Sequence, residues 1–508
     1  MPTPEIDYLP LLPMVVVAAA AVLGVIVEAF APRGARRPLQ LVLVFGSLLA
    51  ALGLLAWQSG TRSVEAVGAV VIDGPAVLLQ GLVLLIALVS ALLIAERTLD
   101  PAGDAFAPRA SALPGSQDER EFTTRGYLQT EVWPLFLFSV LGMMLFPTAN
   151  NLLVMFIALE VMSLPLYLLA GMARRRRLLS QEAALKYFIL GAFSSAFFLF
   201  GSALVYGFSG TIQFSGISES ITGQPGRPLL LLGGVALISV GMLFKIGAVP
   251  FHQWVPDVYQ GSPTPITAFM ASAVKVAAFG ALLRILYVAF GGIRWDWELV
   301  LWVIAGLTVL VGSIVAIAQT DIKRMLAYSS IAQAGFILIG VSAASPEGLG
   351  AAVFYLAAYG FTTIGTFAVV SMVRDATGEA SNISQWAGLG RKSPVVATTF
   401  AIFMLALAGI PLTSGFVGKF LVFEAALGAG GVAVVIVGVI ASIIAAFFYV
   451  RVIVVMFFSE PPEGGASVAI PSATTTLALS ICLAVTIILG VLPQPVLELI
   501  EQAGVFLG

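Results

Sequence analysis

The stretch FKIGAVPFHQWVPDVYQGSPTPITAFMASAVKVAAFGALLRIL, residues 244–286, places two lysines inside apolar sequence beside helix-breaking residues. Lys245 stands just before Gly247 and Pro250, whereas Lys275 lies deep in the following apolar segment. Proline removes a backbone donor and clashes with the preceding turn. Carbonyls freed in this way must find partners inside a bilayer. Because discontinuous helices beside ionisable groups are typical of transporter ion sites, the stretch predicts a broken membrane span followed by an intact one.

A second stretch, LALAGIPLTSGFVGKFLVFE at residues 405–424, has the same character. Here Lys419 follows the break, whereas Lys245 precedes its break. The two broken segments are the seventh and twelfth apolar stretches, which are five helices apart. Because five is odd, they cross the membrane in opposite directions. This pattern predicts two inverted five-helix repeats with discontinuous helices 7 and 12.

The composition extends this prediction to the whole chain. Of its 508 residues, 59% are hydrophobic and 10% are charged, and the mean hydropathy is +1.03. Soluble domains carry about 25% charged residues, so the chain is predicted to be all-α and polytopic, with about 14 transmembrane helices of about 20 residues each. The predicted spans are 9–30, 39–57, 76–95, 131–149, 151–170, 182–206, 229–250, 263–290, 298–319, 323–343, 348–373, 394–424, 431–458 and 468–492.

These spans divide the chain into four predicted parts. Residues 1–130 hold three helices and a loop, 131–290 the first five-helix repeat, 291–458 the second repeat, and 459–508 a last helix. The loop Glu96–Gln129 is rich in proline, glycine and charge, and is predicted to have no fold of its own.

Lysine and arginine in the loops indicate the orientation. With the N-terminus outside, the inside loops hold most of these residues, and the outside loops hold only Arg62, Arg227 and Arg294. Both termini are therefore predicted to lie outside a bacterial plasma membrane. The run Arg174–Arg177 is interpreted as a plain topology signal.

Six basic residues remain inside predicted spans: Lys186, Lys245, Lys275, Arg284, Lys419 and Arg451. The chain has only six lysines, and four of them are in this set. Arginine keeps its proton in proteins, whereas a buried lysine can release it, so a group that loads and unloads protons should be lysine. A charge at the bilayer centre costs about 2.5–3.5 kcal/mol, which favours a polar interior around these groups.

Each ionisable residue also has a structural interpretation. Lys186 lies near the start of its span, four residues after Glu182, and could pair locally or extend to the interface. Arg284 and Arg451 are predicted to be structural partners. Glu160 is either a counter-charge or a structural polar contact, and His252 is either a proton relay or a hydrogen-bonded packing residue.

The composition also excludes several functions. Cys482 and His252 are the only residues of their types, so the chain alone cannot ligate an iron–sulfur cluster or a structural zinc ion. No phosphate-binding glycine motif is present, and no basic field is available for nucleic acid. No cofactor or metal is therefore expected on this chain, and energy for transport should come from a gradient or a partner.

The quoted stretch resembles the signature of the antiporter-like subunits of respiratory complex I. DIKRMLAYSSIAQAGFILIG and GIPLTSGFVGKFLVFEAAL resemble two further segments of that family, and the similarity covers roughly Trp133 to Phe458. Among the three kinds of antiporter-like subunit, subunit N is the most similar. The lysine in the twelfth span argues against subunit M, and a chain of 14 spans is too short for subunit L.

The resemblance implies a role for each matched residue. Glu160 would modulate the proton affinity of Lys245, and protons would pass by Lys275 to Lys419, with Lys186 as a further family lysine. The resemblance also implies partners: other membrane subunits, especially a neighbouring antiporter-like subunit, and subunits that carry NADH, FMN, iron–sulfur clusters and quinone. Two alternatives stay open, a subunit of a cation/proton antiporter and a non-transporting membrane scaffold.

Overall fold

The computed structural model describes residues 7–507 except 102, 114–115, 126–127, 224–228 and 463–464. Arg227, one of the predicted outside residues, is outside the described part. The helices are α1 Leu12–Phe30, α2 Arg33–Trp57, α3 Gly74–Ile94, α4 Gln117–Thr124, α5 Val132–Leu145, α6 Leu152–Ala170, α7 Arg177–Ser209, α8 Phe214–Gly223, α9 Leu229–Ile246, α10 Trp254–Gly261, α11 Thr264–Arg284, α12 Arg294–Ile317, α13 Ile322–Ser342, α14 Pro346–Met372, α15 Leu389–Lys392, α16 Pro394–Ala408, α17 Ser414–Gly428, α18 Val432–Phe458, α19 Ala473–Val491 and α20 Gln494–Ala503.

Short strands form two small sheets outside the helical bundle. They are β1 Ser63–Glu65, β2 Val70–Ile72, β3 Val373–Asp375, β4 Gly378–Glu379 and β5 Ser467–Val468. β1 pairs with β2, and β3 lies between β4 and β5, with every pair antiparallel.

The predicted all-α membrane architecture is confirmed. Within the described residues, 12 helices are long and apolar enough to cross a membrane, and Val132–Thr148 and Pro394–Ala408 are shorter apolar helices. These helices account for all the predicted spans. The fourth and fifth spans, which nearly merge in sequence, separate because the chain turns at Phe146–Thr148 and Asn151 then caps α6, accepting a 2.7 Å hydrogen bond from the Val154 amide.

Both predicted breaks are present. α9 ends at Ile246 and α10 begins at Trp254, while α16 ends at Ala408 and α17 begins at Ser414. Glycine ends both first halves, since Gly247 has φ +80° and Gly409 has φ +86°, a left-handed conformation that favours glycine. The seventh span continues past residue 250 to Gly261, so His252 lies inside the break and not at the end of the span.

Three helices form the centre of the bundle. Every residue in the apolar stretches of α11 and α14 is buried, as are 94% of those in α13, whereas only 33% or fewer are buried in α1, α2, α7 and α19. Polar groups on α11, α13 and α14 are therefore sealed from the bilayer by the surrounding helices. The residues that could carry charge through the protein have to act within this sealed centre.

The arginine run at 174–177 marks one end of the bundle, called here the arginine-rich end; the opposite end, which carries α20, is called the tail end. Arg175 forms an ion pair with Asp100 at 3.0 Å, and Arg174 pairs with Asp104 at 2.6 Å. The loop 96–129 also contains α4. It therefore has more structure than predicted, because the arginines hold it against the bundle in addition to any role in orientation.

Glu96, at the start of this loop, connects it to the last spanning helix. Its carboxylate accepts hydrogen bonds from the Ser472 amide at 2.9 Å and the Ser472 hydroxyl at 2.7 Å, just before α19. Burial alone would raise the pKa of Glu96, but hydrogen bonds from Ser472, Thr475 and the Thr98 amide outweigh it and lower the pKa to about 2.

We expect Glu96 to stabilise the fold in its ionised form. Because its folded pKa is below its ordinary value, the contribution is complete above about pH 4.5 and is lost as the pH falls towards about 2. The thermal unfolding midpoint of the purified complex, measured between pH 6 and pH 3, should fall less steeply in Glu96→Gln than in the native chain. Equal slopes would contradict this role.

Candidate functional site

Lys245 lies in the last turn of α9 and is only 3% exposed. Its Nζ is 3.4 Å from the Tyr187 hydroxyl and lies 5.1 Å and 5.5 Å from the ring centroids of Tyr187 and Tyr167. The Tyr187 ring stacks in turn on the Trp254 ring, with 4.6 Å between centroids. A cation over aromatic faces is stabilised electrostatically without a counter-ion, so the ammonium is held mainly by aromatic groups.

Glu160, on α6, is the carboxylate that interacts electrostatically with both Lys245 and Tyr167. Its Oε1 is buried and has no hydrogen-bond partner within the described residues. A buried carboxylate oxygen without a partner is costly, which fits a group that acts on a nearby charge. No direct ion pair joins Glu160 to Lys245 in the described part of the chain, so the two interact across a gap.

Lys275 lies in the middle of α11 and is 2% exposed. Its Nζ donates to the carbonyl of Ile246 at 2.9 Å and to that of Ser330 at 3.0 Å. Ile246 is the last residue of α9, so its carbonyl is one of those that a helix end leaves without an intrahelical partner. The break in the seventh span therefore supplies a ligand for the lysine of the eighth span.

Lys419 uses the second break in the same way. Its Nζ donates to the carbonyls of Leu407 at 3.2 Å and Ala408 at 2.8 Å, which end α16, and to the Ser442 hydroxyl at 3.0 Å. Gly409 allows this approach, because a Cβ there would lie 2.8 Å from the Lys419 Cδ. The negative end of a helix dipole favours a cation, so each break contributes backbone carbonyls that stabilise an ammonium.

A line of polar groups on α13 and α14 lies between Lys275 and Lys419. The Tyr359 hydroxyl donates to the Ser330 Oγ at 2.8 Å, beside the carbonyl that binds Lys275. Further along α13, Gln333 accepts a hydrogen bond from Tyr355 and donates to the carbonyl of Leu407 at 2.8 Å. That carbonyl also binds Lys419.

Other hydroxyl groups complete this line. Gln333 also donates to the Tyr449 hydroxyl at 3.1 Å, and Tyr449 hydrogen-bonds to Ser329. On the side of Lys245, the Tyr259 side chain lies beside both Tyr187 and Ser330. These groups form separate hydrogen-bonded sets near the three buried lysines in the sealed centre of the bundle, and among the described residues no direct hydrogen bond joins the Ser330–Tyr359 pair to the Gln333 set.

Two predicted site residues lie outside this line. Lys186 is 41% exposed and forms ion pairs with Glu182 and Asp257, each at 2.7 Å. Asp257 also pairs with Arg324 at 2.6 Å, so Lys186 is part of a charged cluster on the surface of the chain. His252 is half-buried in the first break, and its Nδ1 has no hydrogen-bond partner among the described residues.

Arg451, which is partly buried, and Arg284, which is fully buried, both have structural contacts. Arg451 donates to the carbonyls of Ile317 at 2.7 Å and Gln319 at 2.6 Å, which caps the end of α12. Arg284 forms a fully buried ion pair with Asp73 at 2.8 Å. Both guanidinium groups hold helix ends in place.

The sequence analysis missed the tyrosines and a fourth buried lysine. Six tyrosines, among the eleven of the chain, surround the three lysines: Tyr167, Tyr187, Tyr259, Tyr355, Tyr359 and Tyr449. Lys323 was assigned to a loop but is only 5% exposed at the start of α13. The tyrosine hydroxyls could have been suspected, because a phenol buried in a membrane span needs a hydrogen-bond partner.

Comparison with known proteins agrees with this architecture. A family model described as "NADH:quinone oxidoreductase/Mrp antiporter, TM" matches residues 149–445. NADH-quinone oxidoreductase subunit N of Rhodococcus opacus (strain B4) is 57% identical over an alignment that covers 100% of this chain and 97% of that protein.

Solved structures give the same result. A chain of respiratory complex I from Thermus thermophilus with bound aureothin is 33% identical, with a TM-score of 0.76, and the match covers 96% of this chain and 98% of that one. A chain of the Mrp complex from Dietzia sp. DQ12-45-1b is 25% identical, with a TM-score of 0.80, and covers 98% and 97%. The chain therefore belongs to the subunit N family of NADH-quinone oxidoreductase, the antiporter-like membrane subunits of respiratory complex I.

Proposed function

We propose that this chain carries protons across the membrane along a path that runs from Glu160 and Lys245 through Lys275 to Lys419. The observation that supports it is the pair of hydrogen-bonded sets between Lys275 and Lys419, one around Ser330 and one around Gln333, which lie three residues apart on α13. Water that enters between these groups would complete the path. NADH oxidation and quinone reduction in partner subunits, which would hold the FMN and iron–sulfur clusters, supply the energy.

The environment of each lysine fits reversible proton exchange. Lys245, Lys275 and Lys419 contact aromatic rings, carbonyls and hydroxyls, all of which are neutral, so the lysines can lose a proton without leaving a paired anion behind. Moving one proton against 100 mV costs about 2.3 kcal/mol, and a change of about two pKa units corresponds to about 2.7 kcal/mol. A shift of the Glu160 carboxylate relative to Lys245 could supply a change of this size.

The proposed orientation puts the arginine-rich end in the bacterial cytoplasm and both termini outside. The proposed repeats are residues 131–290 and 291–458, each with one broken helix. Lys186 and His252 have secondary roles in this scheme: Lys186 lies in the charged cluster with Asp257, where a neighbouring membrane subunit could reach it, and His252 could relay protons within the first break.

The test is the substitution Glu160→Gln in the assembled complex. Loss of the negative charge should lower the rate of NADH-driven proton translocation roughly tenfold, measured with a pH-sensitive dye in inside-out membrane vesicles. Glu160→Asp keeps the charge and should retain most of the rate. Native proton translocation in Glu160→Gln, with normal assembly on a native gel, would favour a scaffold role.

A second function is suggested by the similarity to a chain of an Mrp complex. If the chain exchanged a metal cation for protons, the rate of proton translocation in the same vesicles would depend on sodium. If the rate of proton translocation is the same in sodium-free potassium buffer, proton translocation without sodium exchange is supported.

A further inference from the structure

An open cavity of about 90 Å³ lies at the arginine-rich end. Its wall includes the turn between α10 and α11, the start of α13 and the strand β4. Among its lining residues are Lys323, Thr264 and Glu379, which no step of the path described above uses. A cavity of this size can hold water beside the end of the sealed centre of the bundle.

Lys323 is connected to Glu379 through a single hydroxyl group. Its Nζ donates to the Ser262 carbonyl at 2.7 Å and to the Thr264 Oγ1 at 3.1 Å, and the Thr264 hydroxyl donates to the Glu379 Oε2 at 2.6 Å. Glu379 is partly exposed, whereas Lys323 and Thr264 are buried. The three groups thus lead from the cavity into the protein.

The helix faces that carry Thr264 and Lys323 also carry Lys275 and its ligand Ser330. Thr264 and Lys275 are eleven residues apart on α11, and Lys323 and Ser330 are seven apart on α13. At 3.6 residues per turn, these spacings place each pair on one face of its helix, three and two turns apart. Lys275 contacts the Ser330 carbonyl, so α11 and α13 are bridged by a lysine at two levels along their length.

Small side chains line the interval between the two bridges. Ala268 and Ala271 on α11 and Ala327 on α13 lie on these faces and are fully buried. The interval from Lys323 to Ser330 is about 10 Å along the helix axis. Because these positions are fully buried, water has to enter the interval before a proton can cross it.

We propose that Glu379, Thr264 and Lys323 form the loading station through which protons from the cavity reach Lys275; this inference rests on the proposed function. The Glu379 carboxylate takes a proton from a water molecule in the cavity, which leaves as hydroxide into bulk water. Glu379 then gives the proton to the Thr264 oxygen, while the Thr264 hydroxyl proton moves to the neutral Lys323 amine. After these transfers, Glu379 is again a carboxylate, Thr264 is again a hydroxyl and Lys323 is an ammonium. The hydrogen bonds in the structure have the direction expected for this loaded state.

Lys323 has three charged neighbours that bear on its protonation. They are Glu379 from β4, Asp321 just before α13 and Arg176 from the arginine run. The two carboxylates favour the ammonium and the guanidinium opposes it, so release towards Lys275 requires protonation or movement of a carboxylate.

The test compares Lys323→Arg with Thr264→Val in the assembled complex. Arginine keeps the positive charge and can donate to the Ser262 and Thr264 oxygens, but it does not release its proton, and valine has the shape of threonine without the hydroxyl. Each change should lower NADH-driven proton translocation roughly tenfold. Thr264→Ser, which keeps the hydroxyl, and Lys392→Arg, an exposed lysine at the same end, should stay near the native rate.

Lys275→Arg in the same assay separates the two hypotheses. If Lys275→Arg loses translocation while Lys323→Arg and Thr264→Val keep the native rate, the loading station is wrong and the path stands. If all three keep the native rate, the proposed function itself is wrong. If Lys323→Arg fails to assemble, the comparison of Thr264→Val with Thr264→Ser decides, and equal rates in these two would overturn the inference.

Discussion

A complex that contains Lys419→Met is expected to assemble normally and to translocate protons at roughly one tenth of the native rate. Methionine fills a similar volume among Phe336, Ser442 and the end of α16, but it has no group that can bind a proton. NADH-driven acidification of inside-out vesicles, normalised to the amount of assembled complex, measures this effect.

Lys419→Arg separates charge from proton exchange. The guanidinium can donate to the Leu407 and Ala408 carbonyls as the ammonium does, but it holds its proton permanently. This variant should therefore be as defective as Lys419→Met. Native translocation in Lys419→Arg would show that a fixed positive charge is sufficient at this position.

The second large effect concerns stability. Asp73→Leu should lower the free energy of unfolding by about 3–5 kcal/mol, because it leaves the fully buried Arg284 guanidinium without its counter-charge. The Asp73 carboxylate also caps α3, accepting from the Ala76 amide at 2.9 Å, and accepts from the Leu507 amide at 2.9 Å. Less assembled complex and a lower thermal unfolding midpoint are expected.

The double variant Asp73→Leu/Arg284→Met is the control for this prediction. Replacing both partners with apolar side chains removes the unpaired charge, and such replacements are often neutral or stabilising. The double variant should therefore recover much of the lost stability. If Asp73→Leu alone unfolds at the native midpoint, the ion pair does not stabilise the junction of α3, α11 and the C-terminal residues.

Much of the fold was predictable because a bilayer imposes a simple length rule. Every predicted span corresponds to a helix, and Gly247 and Gly409 indicated both breaks correctly, since helix-ending glycine has a local cause. The loop 96–129 was less predictable: its order depends on ion pairs such as Arg175 with Asp100, and partners 75 residues apart leave no local pattern.

The candidate site was predictable in its lysines but not in their surroundings. Lys245, Lys275 and Lys419 stand out because a charge within an apolar run is rare. Lys323 did not, because it lies next to Arg324 at the end of a span, where basic residues usually face water. The carbonyl ligands of Lys275 and Lys419 carry no sequence signal, since every residue has a carbonyl.

The two helix breaks have a consequence for how mutations and acidity affect this protein. The ligands that hold Lys275 and Lys419 include peptide oxygens of Ile246, Leu407 and Ala408, and no side-chain substitution deletes a peptide oxygen. Peptide oxygens also stay unprotonated across the physiological range, whereas carboxylates in general are neutralised in strong acid. Substitutions and strong acid can therefore alter the charged cluster around Lys186, whereas the backbone ligands of Lys275 and Lys419 remain in place.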